Sequence, residues 1–118
     1  MTSPSASSRP PRTLSIGGAT FDLFVRTATP VMLQKNGKGE KILALPLGAK
    51  IRVDQVIEAC GGGAANTSVG LKRLGCEGHF CGIIGSDQWG ERMLGTLQKE
   101  GVDVSSATVV EGETSASR

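Results

Sequence analysis

The chain has 118 residues, a formal net charge of +2, 17 glycines and only 3% aromatic residues (Phe, Trp and Tyr combined). That length is one domain at most. Balanced charge and scarce aromatics argue against a nucleic-acid surface or a base-stacking platform, and no run approaches the ~20 apolar residues of a membrane helix.

In chain order, residues 1–12 are rich in Ser, Pro and Arg and read as a disordered tail. They lack the apolar h-region of a signal peptide, although arginines without acids also suit a short organelle-targeting segment. Leu14 to Gly18 reads as a first strand, and Phe21 to Val25 continues it, interrupted by Asp22. Val31 to Leu33, Lys41 to Leu45 and Ile51 to Ile57 read as extended, and Asn36-Gly37 between apolar runs signals a hairpin. Lys35, Lys38 and Lys41 then form a solvated hairpin face. Ala64 to Leu74 reads as a helix with Leu71 and Leu74 on one face and Gly75 as its stop. Gly78 to Ile84 reads as one buried strand with Phe80, Ile83 and Ile84 in the core. Ser86 or Asp87 caps a second helix whose stripe is Trp89, Met93, Leu94 and Leu97, and Gly101 ends it. Ala107 to Val110 is a further strand. Strand–helix–strand–helix–strand after residue 60 predicts a parallel sheet with right-handed crossovers, and ligands bind at the carboxyl ends of such strands.

Chemistry concentrates in Gly61-Gly62-Gly63-Ala64-Ala65-Asn66-Thr67-Ser68, with Gly75 and Gly85 following. Glycine is needed where the backbone takes φ > 0 or closely approaches a ligand. A helix N-terminus offers unpaired N–H groups to an oxygen-rich molecule, and Asn66 adds a side chain that both donates and accepts. Asp22 sets a charge into an apolar run, which calls for a partner. The P-loop pattern is absent, and Asn66 occupies the third glycine position of the dinucleotide pattern. Cys60, Cys76 and Cys81 with His79 match no common structural zinc spacing. An odd, irregular set of cysteines suits a reducing cytoplasm.

Gly61, Gly62, Ala64, Asn66, Ser68, Gly75 and Gly85 fill, at its fixed spacing, the first signature of the ribokinase/PfkB family of carbohydrate kinases. Asp22 after the first strand and Gly85-Ser86-Asp87-Gln88-Trp89-Gly90 resemble two further family features. The resemblance covers residues 13–118. It implies a ribokinase-like α/β fold: a central, mostly parallel sheet flanked by helices, with a small antiparallel β lid within about residues 26–58. It implies ATP-dependent phosphorylation of a sugar or nucleoside hydroxyl, with ATP and Mg2+ as cofactors and a homodimer through the lid. Asp22, Gly62, Gly63 and Asn66 would bind the substrate. The family's later Gly-Ala-Gly-Asp element, which carries the catalytic aspartate, has no match here. The expectation is therefore the N-terminal, substrate-binding part of a kinase, with the C-terminal part missing and no activity of its own. The alternatives are an NAD(P)-binding oxidoreductase fragment and a non-catalytic sugar-binding module.

Overall fold

The computed structural model describes residues 9–29 and 32–116. Residues 1–8, most of the expected tail, and Val31 of an expected strand lie outside them. The chain divides into two units, residues 1–22 with 58–118 and residues 23–57.

In the first unit, β1 (Arg12–Ile16) pairs in parallel with β6 (Glu77–Cys81), and β7 (Ile83–Gly85) pairs in parallel with β8 (Thr108–Val110). A parallel bridge joins His79 to Asp103. Between these strands run α1 (Gly63–Arg73) and α2 (Gln88–Lys99), giving the expected βαβ order. The core is Phe21, Ala64, Ala65, Phe80, Ile84, Met93, Leu97 and Val102 with Ala19.

β1 starts at Arg12, because the Pro11 carbonyl already accepts from the Glu77 N–H. One expected strand is instead two. The partner changes at Gly82, from β1 for β6 to β8 for β7, and a side chain at Gly82 would run into the Gly17 carbonyl and the Phe80 ring. Ile83 is 76% exposed while Phe80 and Ile84 are buried, since side chains of a strand alternate between its faces. Leu74 is also no core residue. It is the C-cap of α1 and 82% exposed, because the helix packs through the small residues Ala64, Ala65 and Ser68. Both helices end by one device. The N–H of Gly75 bonds to Lys72 O and that of Cys76 to Leu71 O; Gly101 bonds to Gln98 O and Val102 to Leu97 O. Gly75 and Gly101 take φ +92° and +78°, the left-handed conformation this ending requires.

The second unit holds the antiparallel pair β3 (Met32–Lys35) and β4 (Lys41–Ala44). Asn36 closes the turn: its N–H donates to Glu40 O, and its Oδ1 accepts from the N–H groups of Lys38 and Glu40. The left-handed residue is Gly39 (φ +80°), not Gly37. Lys35, Lys38 and Lys41 are exposed, as expected. β2 (Thr20–Arg26) and β5 (Gln55–Gly61) pair with each other.

Among the described residues, no helix is long and apolar enough to cross a membrane, and no three His, Cys, Asp or Glu side chains gather as metal ligands.

Candidate functional site

Two loops far apart in sequence meet at the ends of the strands. The first, Gly17-Gly18-Ala19, joins β1 to β2 and is held by a bond from the Gly17 N–H to Cys81 O. The second, Gly61-Gly62-Gly63, joins β5 to α1. Gly62 has φ +96°, and a Cβ there would lie 2.5 Å from Gly18 O and 2.6 Å from Ala19 Cα. No residue with a side chain fits that position. Gly18 O also accepts from the Ala64 N–H at 3.2 Å, so the first loop anchors the start of α1.

Asp22 sits beside this crossing. A Cβ on Gly61 would lie 2.6 Å from Asp22 Oδ2 and 3.0 Å from Thr20 Oγ1. Gly61 is therefore bare because the Asp22 carboxylate occupies the space a side chain would fill. Thr20 shares this face because strand side chains repeat every two residues. That period is the sequence signal for Thr20. Both side chains already have interactions within the protein.

Gly63 behaves differently from its neighbours. It is exposed, and a Cβ there would meet nothing within 4 Å. No side chain caps the N-terminus of α1. Asn66 lies one turn further on, exposed, with its N–H bonded to Gly62 O at 2.9 Å. It lines a cavity of about 290 Å³ between α1 and α2, together with Cys60, Thr96 and the Arg73–Glu100 ion pair. Asp22 is not part of that wall. Cys60 links the two places: it borders the cavity, and Asp22 acts on its thiol. Burial first, and then the Asp22 charge, push the Cys60 thiol above its ordinary pKa. It is a neutral wall group at neutral pH, not a nucleophile.

The other glycines of the motif serve the fold. Gly75 ends α1, and Gly85 lies against the backbone of Glu113 to Ser115. Asp87 caps α2, accepting from the Gly90 N–H at 2.9 Å, and its second oxygen takes the Ser115 N–H at 3.0 Å. Burial raises its carboxyl, but the hydrogen bonds from Gly90 and Ser115 outweigh this and hold its pKa below the usual range. His79 pairs with Asp103 at 3.5 Å. Cys60, Cys76 and Cys81 are free thiols.

The crossing thus sets a carboxylate and a threonine hydroxyl beside the glycine start of α1, while the Asn66 amide lines the neighbouring cavity. These groups donate and accept hydrogen bonds. The family model for pfkB family carbohydrate kinases matches residues 32–117. A fructokinase from Salmonella typhimurium is 45% identical over 51 residues, covering 43% of this chain and 17% of that protein. The fructokinase with bound ATP from Xylella fastidiosa superposes with a TM-score of 0.65 at 20% identity, over 92% of this chain and 28% of that one. The ribokinase from Cryptococcus neoformans in complex with ADP gives a TM-score of 0.65 at 21% identity, over 91% and 29%. The chain spans less than a third of the length of these relatives. With a family match over most of its length and the same arrangement of strands and helices, the chain belongs to the pfkB family of carbohydrate kinases and has a ribokinase-like α/β fold.

Proposed function

We propose that the full-length protein phosphorylates a hydroxyl of a sugar or nucleoside with ATP, and that these residues supply the substrate-binding half. The supporting observation is the meeting of Asp22 with Gly61, which sets a carboxylate beside an uncapped glycine helix start. A carboxylate accepts from hydroxyl groups, and charge-assisted bonds of this kind are the strong ones. The Gly62 and Gly63 N–H groups donate to substrate oxygens, and Asn66 bridges a further hydroxyl. Fixed donors and acceptors hold the reacting hydroxyl in line, which is a large part of phosphoryl-transfer catalysis.

ATP, with Mg2+, supplies the transferred phosphoryl group and the charge that shields it. The residues here fit the hydroxyl-bearing partner; the family resemblance puts the nucleotide and the catalytic aspartate elsewhere. These 118 residues alone orient a hydroxyl without a base to deprotonate it, so they are inactive by themselves. The three free thiols favour a reducing compartment, the cytoplasm.

The test is Asp22→Asn in the full-length protein, with D-fructose, D-ribose and adenosine as substrates. Loss of a charge-assisted bond is worth roughly 1.5–3 kcal/mol, so kcat/KM for the accepted substrate falls about 10- to 100-fold, while KM for ATP stays put. Unchanged substrate kinetics sink the assignment.

A further inference from the structure

Arg92, on α2, belongs to no part of the motif, yet it ties together the two strands that form the candidate site. Its guanidinium pairs with the Glu58 carboxylate on β5. Its Cζ lies 5.9 Å from the centre of the Phe21 ring and 5.4 Å from that of Trp89. The two rings stack at 4.7 Å with planes 32° apart. Phe21 is buried and immediately precedes Asp22 on β2; Glu58 lies three residues before Gly61 on β5. α2 is itself a fixed support, capped by Asp87 and buried through Met93 and Leu97.

We propose that Arg92 is a positioning residue for the substrate site: one guanidinium holds Phe21 of β2 and Glu58 of β5, and so sets the separation of Asp22 and Gly61. The inference rests on the substrate-binding reading of Asp22. The carboxylate already fills the space above Gly61, so a small shift of either strand moves its oxygens relative to the helix start. Stacking on flat rings needs a planar guanidinium; an ammonium reproduces the charge and not the plane. Glu58 alone is a half-exposed partner and contributes little by itself.

The test uses the full-length protein and whichever of D-fructose, D-ribose or adenosine the wild type phosphorylates. Arg92→Ala raises KM for that substrate by about three- to ten-fold, leaves KM for ATP within about two-fold, and moves Tm little. Arg92→Lys recovers part of the loss, and Glu58→Gln shows a smaller rise. If Arg92 acts through Asp22, the double variant Arg92→Ala/Asp22→Asn is no worse than Asp22→Asn alone. Additive losses, or an unchanged substrate KM in both Arg92 variants while Asp22→Asn raises it, overturn the positioning role only. No effect of Asp22→Asn overturns the substrate reading itself. Should Arg92→Ala fail to fold, Arg92→Lys and Glu58→Gln carry the same comparison.

Discussion

The two helices begin in opposite ways, and the contrast separates residues that make the fold from those free to serve a ligand. α2 starts sealed. Asp87 caps it, Ser115 binds the cap's second oxygen, and Gly90 is bare because the Gly85 carbonyl, Ile84 and Ser115 Oγ occupy the space of a Cβ. α1 starts open. No side chain caps it, and its first residue, Gly63, faces empty space. The protein thus spends glycine in two ways. At Gly62 and Gly90 the fold itself excludes a side chain; at Gly63 nothing in the described protein does.

Substitutions should therefore split into two groups. Gly62→Ala and Gly90→Val should each destabilise by about 3 kcal/mol or more, through left-handed strain at the first and overlap with backbone or packed atoms at both. Denaturant unfolding checks this; a loss under 1 kcal/mol at both would erase the contrast. Gly63→Val should leave the unfolding midpoint nearly in place and weaken substrate binding by at least about ten-fold, since only a ligand competes for that space. Calorimetric titration of the full-length protein reads it, and undiminished affinity would remove Gly63 from the site.

The sealed helix should also carry acid sensitivity. The Asp87 carboxyl, held below its ordinary pKa, contributes stability that is complete above the unfolded carboxylate pKa of about 4. That stability is lost as pH falls through the lower folded value. Asp103 follows the same sign: Ser105 donates to its carboxylate, burial opposes, and His79 and Arg12 add favourable charge. Asp87→Asn keeps the Gly90 cap but loses the charge and the acceptor for Ser115, so it should lower Tm most at pH 7, change it little at pH 3, and thereby flatten the fall in Tm between about pH 5 and pH 3. A profile identical to wild type would remove Asp87 as a source. The smallest effect should come from Ser15, whose buried hydroxyl has no hydrogen-bond partner among the described residues. Ser15→Ala should be neutral or stabilise by about 1 kcal/mol.

Much of this was legible in the sequence, and the rest shares a cause. The βαβ order, the Asp87 cap and both helix stops follow from local patterns of period and punctuation. The meeting of Asp22 with Gly61 does not, since they lie 39 positions apart; the carboxyl rim of the parallel sheet and the family resemblance pointed to that region without the contact itself. The break at Gly82 marks a change of partner, β6 pairing with β1 and β7 with β8, which the local pattern does not show. The Leu71–Leu74 face does not show which side of α1 is buried, because the helix packs through alanine and serine. Thr20, Gly18 and Arg92 carry no motif; each matters through a neighbour that is remote in sequence.

The central claim is that Asp22 and the Gly61–Asn66 segment hold one substrate. A crystal structure of the full-length protein with its accepted sugar or nucleoside tests it most directly. The account predicts substrate hydroxyls within about 3.2 Å of the Asp22 carboxylate and of the Gly62 or Gly63 N–H, with Asn66 Oδ1 or Nδ2 on a neighbouring hydroxyl. A substrate bound with Asp22 and residues 62–66 beyond hydrogen-bond reach would contradict it.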